Sequence, residues 1–303
     1  MKDVLFIKTS SLGDVIHHMP ALTEARAHRP EVRFGWVVEE AFAPLVRLHP
    51  AVNEVIPVAV RRWRRSLLQP STWLQVAAFR RALKAHTFDE IIDSQGLIKS
   101  ALIARLAQGR RRGYDRKSIK EAAASYFYDI KHPIEWDQHA IARNRALTAE
   151  ALGYACEGPP DFGLDRAGLR APGEKPYGVL LHATAQASKE WPEANWRMLA
   201  AVLASSGVDV DLVALHGNDA ERERAERIAV ASPRVRVPER QPLDQVARLI
   251  AGASFVVGVD TGLLHLAAAL GVPLVAIFLG SEPKLTGPMG QGPIEVLGAK
   301  GAP

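Results

Sequence analysis

The 303-residue chain has one cysteine, Cys156. A lone thiol excludes an intramolecular disulfide and any cysteine-rich metal site, and it fits a reducing compartment. No apolar run approaches the ~20 residues of a membrane helix. The segment Met1–Lys8 is too short for a secretory apolar core, and Asp14, His17 and His18 interrupt the stretch after it. These absences predict a soluble protein, or one held at most at a membrane surface. No G-x-G-x-x-G is present, which argues against a dinucleotide site. There is no short internal repeat and no low-complexity tract.

What is present is an ordinary globular balance, 48% hydrophobic and 23% charged, which argues against disorder or a fibre. The length suits two domains. The net charge of +5 is unevenly divided. Residues 1–150 hold 24 Lys and Arg against 16 Asp and Glu, and residues 151–303 hold 14 against 17. A basic first half implies either an anionic partner (nucleic acid, acidic lipid or acidic sugar) or a solvated basic face.

Short apolar runs alternate with amphipathic stretches. Strands are predicted at Val4–Ile7, Phe34–Val38, Val55–Ile56 and Glu90–Asp93. Helices are predicted over about Asp14–His28, from Ala41, over Thr72–Ala85 and over Leu97–Leu106. The stretch Glu157–Pro176 is dense in Pro and Gly and reads as a boundary. The rhythm then restarts. Strands are predicted at Tyr177–Leu181, Val208–Leu215, Phe255–Val259 and Leu274–Phe278. Helices are predicted from Pro192 to about Ser206, and over Asp219–Val230, Leu243–Ala251 and Gly262–Leu270. Strands alternating with helices predict an α/β fold of two Rossmann-like domains, each a parallel sheet covered on both faces.

Ligands of such sheets bind beyond the carboxyl ends of the strands. After the first strand comes Lys8-Thr9-Ser10-Ser11-Leu12-Gly13-Asp14. Asp14 is either a first-turn aspartate stabilising its helix or a base facing substrate. In the second half, Asp260-Thr261-Gly262 joins a strand to a helix, an arrangement that favours phosphate through free N–H groups and the helix dipole. Asp260 itself would repel phosphate and suits sugar hydroxyls. His265, about one turn on, either faces the same ligand or is a satisfied buried histidine. The loop His182–Pro192 offers Thr184 and Lys189 to a diphosphate, or is a plain surface loop. Arg61-Arg62-Trp63-Arg64-Arg65 reads as a loop that recognises phosphate or carboxylate, a solvated run, or a nucleic-acid patch.

Together these residues resemble glycosyltransferase family 9, the lipopolysaccharide heptosyltransferases. The matching stretches are KTSSLGDVIHHMPAL (8–22), WVVEE (36–40), VIPVAVRRWRR (55–65), IIDSQGLIKSAL (91–102), LHATAQASKEWPEANW (181–196) and VVGVDTGLLHLAAAL (256–270). Their combination is similar to the branch that adds the first heptose (heptosyltransferase I) more than to the second-heptose branch.

The resemblance implies a GT-B fold with two Rossmann-like domains facing a cleft: an acceptor domain over 1–157, a linker over 158–176 and a nucleotide-sugar domain over 177–303. The implied donor is ADP-L-glycero-β-D-manno-heptose, a co-substrate, with no cofactor. The implied acceptor is the Kdo of Kdo-lipid A, met by a peripheral protein on the anionic cytoplasmic face of the bacterial inner membrane. Nucleic acid is not an implied partner. Transfer would invert the anomeric centre without a metal, with domain closure bringing base and donor together.

By the same resemblance Asp14 matches the catalytic base. Ser10, Arg61, Arg62, Arg64 and Arg65 match acceptor contacts. Thr184, Ala185, Lys189, Thr261 and Gly262 lie at the donor phosphates, Asp260 and His265 near the sugar, Glu221 at the ribose and Gln241 at adenine. The sequence departs from the family in four places. Ala185 replaces a second threonine, His216-Gly217 stands for Trp-Gly, Gln241 stands for a methionine, and the usual closing helix is absent before Pro303. A nucleotide-sugar epimerase, another family 9 heptosyltransferase and a nucleic-acid-binding protein are the competing readings.

Overall fold

The computed structural model describes residues 1–171, 175–205, 207, 209–280 and 282–298. The chain divides into two compact units, Met1–Gly163 and Leu164–Pro303.

In the first unit six parallel strands are seen among the described residues: β1 (Asp3–Ile7), β2 (Arg33–Glu39), β3 (Glu54–Val58), β4 (Thr87–Asp93), β5 (Gln108–Tyr114) and β6 (Ile130–His132). Their order in the sheet is β3-β2-β1-β4-β5-β6. Helices α1 (Leu12–Ile16), α2 (Met19–His28), α3 (Ala43–Val46), α4 (Val60–Trp63), α5 (Pro70–Lys84), α6 (Ile98–Leu106) and α7 (Ala140–Leu152) connect or cover them. Val4, Leu5, Phe6 and Ile7 are all fully buried, as a central parallel strand covered on both faces requires. On one face Leu5, Ile7, Val37, Ile56 and Ile91 pack with Phe79 and Leu83 of α5 and with Ile103 of α6.

The single helix expected over 14–28 is two. Pro20 has no N–H to return to Ile16, so α1 stops and α2 starts afresh with proline in its first turn, where that N–H is not needed. The arginine run expected as a loop begins as the one-turn helix α4.

The second unit repeats the plan. Its elements are α8 (Arg166–Leu169), β7 (Tyr177–Leu181), α9 (Glu193–Ser205), β8 (Asp211–Ala214), α10 (Asp219–Ala229), β9 (Val235–Arg236), α11 (Leu243–Gly252), β10 (Phe255–Val259), α12 (Gly262–Ala269), β11 (Leu274–Ile277), α13 (Pro283–Thr286) and β12 (Ile294–Leu297). The sheet order β12-β11-β10-β7-β8-β9 is the first unit's order read from the other edge. Both sheets therefore reverse direction between their first and fourth strands, where α/β folds place ligands.

Two glycines permit the packing of β7 against β10. A Cβ on Gly178 would come 2.3 Å from the Phe255 ring, and one on Gly258 would come 2.8 Å from Leu181 Cβ. These are the partners each glycine faces across the ladder.

Part of the stretch read as a linker is the helical turn α8. There the Arg166 guanidinium donates to the carbonyls of Ala251, Ala253 and Gly271, so this turn packs with the second unit. Pro172 and Gly173 of that stretch lie outside the described residues, as do Ser206 and Val208 at the expected ends of α9 and β8. The strand expected from Val208 is seen from Asp211. Pro192 precedes α9, and its carbonyl accepts from Asn195 and Trp196. No helix among the described residues is long and apolar enough to cross a membrane.

Candidate active site

In the second unit the strand-end loops after β7 and β10 meet. Thr184 Oγ1 donates to the Asp260 carbonyl at 2.9 Å. Lys189, closing a short 3-10 turn at Ala187–Lys189, places Nζ 2.6 Å from Asp260 Oδ2. His265 Nε2 lies 3.5 Å from Asp260 Oδ1. Asp260 and His265 are buried, and a buried carboxylate demands compensating charge or hydrogen bonds, which these neighbours supply. Lysine and aspartate, assigned separately to phosphate and to sugar from the sequence, therefore hold each other.

Thr261 is the N-cap of α12 but makes no side-chain cap bond. The first N–H groups of a helix have no intrahelical partner and carry the positive end of its dipole, so this end is suited to an anion.

Along the same rim, β8 leads to His216 and β9 to Gln241. Glu221 completes a capping arrangement at α10. Its Oε2 accepts from Gly217 N–H at 2.6 Å and its Oε1 from Asn218 Nδ2 at 2.7 Å, while its own N–H donates to Asn218 Oδ1 at 3.0 Å. His216 Nε2 lies 2.8 Å from the Pro238 carbonyl and ties the two strand ends together. Gln241 is half-buried and Ala185 exposed. An apolar cavity of about 760 Å³ in this unit, lined by Phe255, Val257, Val275 and Ile277 among others, contains none of the candidate residues.

In the first unit Asp14 is the third residue of α1. Its Oδ2 accepts from the Ser11 N–H at 2.7 Å and from Ser11 Oγ at 2.9 Å. The first-turn role weighed for Asp14 is thus real, and both of these bonds engage one oxygen. Ser10 is buried. Its N–H and that of Thr9 donate to Gln95 Oε1 at 3.1 and 3.0 Å. Lys99, in the first turn of α6, donates from Nζ to Ser10 Oγ at 2.9 Å. Burial pushes the Lys99 ammonium below its ordinary range, Glu39 and Asp14 pull it back up, and Arg61 and Arg64 push it further down.

The four arginines differ. Arg62 forms a two-pronged pair with Glu40, both contacts at 2.8 Å, and donates to Gln75 Oε1 at 2.5 Å. Arg61 places its guanidinium 5.4 Å from the Phe42 ring centre, and its N–H donates to Glu39 Oε1. Arg64 and Arg65 are exposed. Arg62 is thus an internal tie in this structure, whereas its neighbours face solvent or an aromatic ring.

A model of glycosyltransferase family 9 (heptosyltransferase) matches residues 76–301. The chain belongs to glycosyltransferase family 9. It is 46% identical to lipopolysaccharide heptosyltransferase 1 of Pseudomonas aeruginosa strain PAO1 over 97% of this chain and 83% of the relative. Its structure is similar to that of E. coli heptosyltransferase WaaC with ADP: TM-score 0.91, 42% identity, covering 97% of this chain and 93% of that one. WaaC with ADP-2-deoxy-2-fluoro heptose gives a TM-score of 0.88 at 42% identity, covering 97% and 92%. The chain is therefore a glycosyltransferase of the lipopolysaccharide heptosyltransferase type, with the two Rossmann-like sheets of the GT-B architecture.

Beneath Asp14 the family 9 chain holds a buried network that sequence reasoning did not assign. Lys8 Nζ donates to the Ser94 carbonyl at 2.8 Å and to Asn144 Oδ1 at 3.3 Å. Asn144 Nδ2 donates to the His17 carbonyl at 3.0 Å, at the C-terminal end of the helix that carries Asp14. Asp93 Oδ2 accepts from Tyr128 OH at 2.7 Å. Burial raises the Asp93 carboxyl and lowers the Lys8 ammonium. Gln95 carried a signal, since it follows a strand in Asp-Ser-Gln-Gly; Asn144, in the middle of α7, carried none. Among the described residues no group of three or more His, Cys, Asp or Glu is placed to hold a metal.

Proposed function

We propose that this glycosyltransferase moves L-glycero-D-manno-heptose from ADP-heptose to the Kdo of Kdo-lipid A, in one inverting displacement without a metal, as a peripheral protein on the cytoplasmic face of the inner membrane. The observation that carries the reading is the cluster of Thr184, Lys189, Asp260 and His265 beside the uncapped start of α12. The relative solved with a fluorinated ADP-heptose supports the choice of donor.

In this reading Lys189, Thr184 and the Thr261–Gly262 backbone bind the diphosphate. Asp260 and His265 meet the heptose, Glu221 the ribose and Gln241 the adenine. Ala185 contributes main chain alone. Arg61, Arg64, Arg65 and Ser10 bind the acidic acceptor, and Arg62 positions this segment through Glu40.

The acceptor hydroxyl attacks the anomeric carbon. A carbon–oxygen bond forms on one face while the bond to the diphosphate oxygen breaks on the other, which inverts the centre. The hydroxyl proton passes to Asp14, whose Oδ1 takes it while Ser11 holds Oδ2. ADP leaves with its new charge met by Lys189 and the α12 dipole, the electrostatic role that a metal plays in other transferases.

Mass spectrometry of the acceptor after incubation with ADP-heptose, Kdo-lipid A and excess EDTA tests this. One added heptose is expected. An unchanged acceptor, or an altered donor sugar formed without acceptor, would exclude the reading.

A further inference from the structure

Between Glu54 and Asp89 the sequence contains no acidic residue and seven cations: Arg61, Arg62, Arg64, Arg65, Arg80, Arg81 and Lys84. The same stretch carries four large apolar side chains turned to solvent. Leu68 is 99% exposed, Leu74 72%, Trp73 58% and Leu67 52%. They are not on a loose tail. Trp73 Nε1 donates to the Leu67 carbonyl at 2.9 Å, and Ser66 and Thr72 hydrogen-bond each other at 2.9 Å, so the turn at 66–69 is fixed to the first turn of α5.

The inner face of α5 is already used, since Thr72, Phe79 and Leu83 are buried against the sheet. Its outer face carries Trp73, Leu74, Ala77 and Ala78, then Arg80, Arg81 and Lys84, at the three- and four-residue spacing of one helix side. Arg64 and Arg65 stand exposed before the turn. Leucine and tryptophan at the tip with cations on either side, and no acid among them, is the composition of a surface that lies in a bilayer interface. A nucleic acid would find no use for the exposed leucines.

We propose that the turn at 66–69 and the outer face of α5 form the docking surface for an anionic lipid bilayer. Leu67, Leu68, Trp73 and Leu74 enter the headgroup boundary, and Arg80, Arg81 and Lys84 meet acidic headgroups. This deepens the peripheral location proposed above by naming the face, and it holds or fails independently of donor and acceptor.

The test is co-sedimentation of the full chain with acceptor-free vesicles of phosphatidylcholine alone and of phosphatidylcholine mixed with phosphatidylglycerol. Binding to the anionic vesicles is expected to be stronger by about tenfold or more and to weaken with salt. Leu68→Gln with Leu74→Gln should lose most of that binding, and Arg80→Gln with Arg81→Gln should lose roughly tenfold of the anionic preference. Both variants should retain wild-type circular dichroism and wild-type turnover of a detergent-free, short-chain soluble acceptor. Absence of vesicle binding, equal binding to both vesicle types, or undiminished binding by the variants overturns the proposal. So does a dimer in light scattering that only the leucine variant breaks, which would place a second copy on this face. Anionic vesicle binding by a protein that transfers no sugar would sustain this inference and sink the proposed function.

Discussion

Lys189 Nζ lies 2.6 Å from Asp260 Oδ2, with the two side chains 20% and 8% exposed. The ammonium assigned to the diphosphate already neutralises the carboxylate beside it. Lys189→Met should therefore have two effects. It leaves Asp260 short of a counter-charge, at a cost of about 2 kcal/mol or more, and it weakens ADP binding by about tenfold or more. Adding Asp260→Asn should restore much of the stability but not the ADP affinity. Calorimetry of ADP binding with denaturant unfolding separates the two, and wild-type ADP affinity in Lys189→Met would remove this lysine from the phosphate site.

Lys99 holds Ser10 and lies in the field of Asp14, Glu39, Arg61 and Arg64. Lys99→Met is expected to raise the acceptor KM by about tenfold, the worth of one charge-assisted bond. The donor KM should stay the same. Steady-state kinetics with each substrate varied in turn checks this, and equal changes in both constants would contradict it.

Glu221 ties Gly217 and Asn218. Glu221→Ala should cost about 1 kcal/mol in helix capping. It should also weaken ADP by about tenfold through the ribose while leaving inorganic pyrophosphate affinity unchanged. Competition binding with the two ligands decides, and parallel losses would mean that the change acts through the fold alone.

His49 is buried and neutral. Its Nδ1 accepts from Ala51 N–H at 3.2 Å and its Nε2 meets Thr23 Oγ1 at 3.0 Å, with burial lowering its pKa to about 4. The unfolded chain takes up this proton near pH 6.5, well before the folded chain does. The stabilising contribution is thus complete above about pH 6.5 and is lost as pH falls toward 4, amounting to about 3 kcal/mol. His49→Gln should flatten that part of the pH dependence in urea unfolding between pH 7 and 4.5. An unchanged slope would contradict the assignment.

The fold was legible where apolar runs alternate with amphipathic ones, and obscure where charge replaces hydrophobicity. Strand β5 has the sequence QGRRRGY and offers no apolar run. It is a strand because its arginines find partners on alternate faces: Arg110 and Arg112 both reach Glu90 on the neighbouring strand, and Arg111 reaches Asp129. Strands β6, β9 and β12 and helices α7, α8 and α13 are also absent from the sequence-based expectation. The rule of looking beyond strand ends led to Thr184, Lys189, Asp260 and His265, which lie together in the second unit, and to Asp14 in the first turn of α1. It could not reveal that Asn144, 136 positions from Lys8, closes the network under the Asp14 helix, because that pairing exists only once the chain has folded.

The most direct test of the account is the single-turnover rate of heptose transfer by Asp14→Asn, measured with its ADP affinity. Asparagine keeps an oxygen for the Ser11 hydrogen bonds and removes the proton acceptor. The rate should fall by about 10²–10⁴-fold with ADP affinity unchanged. A rate equal to that of the unsubstituted enzyme would show that Asp14 does not take the proton, and the mechanism would lose its base.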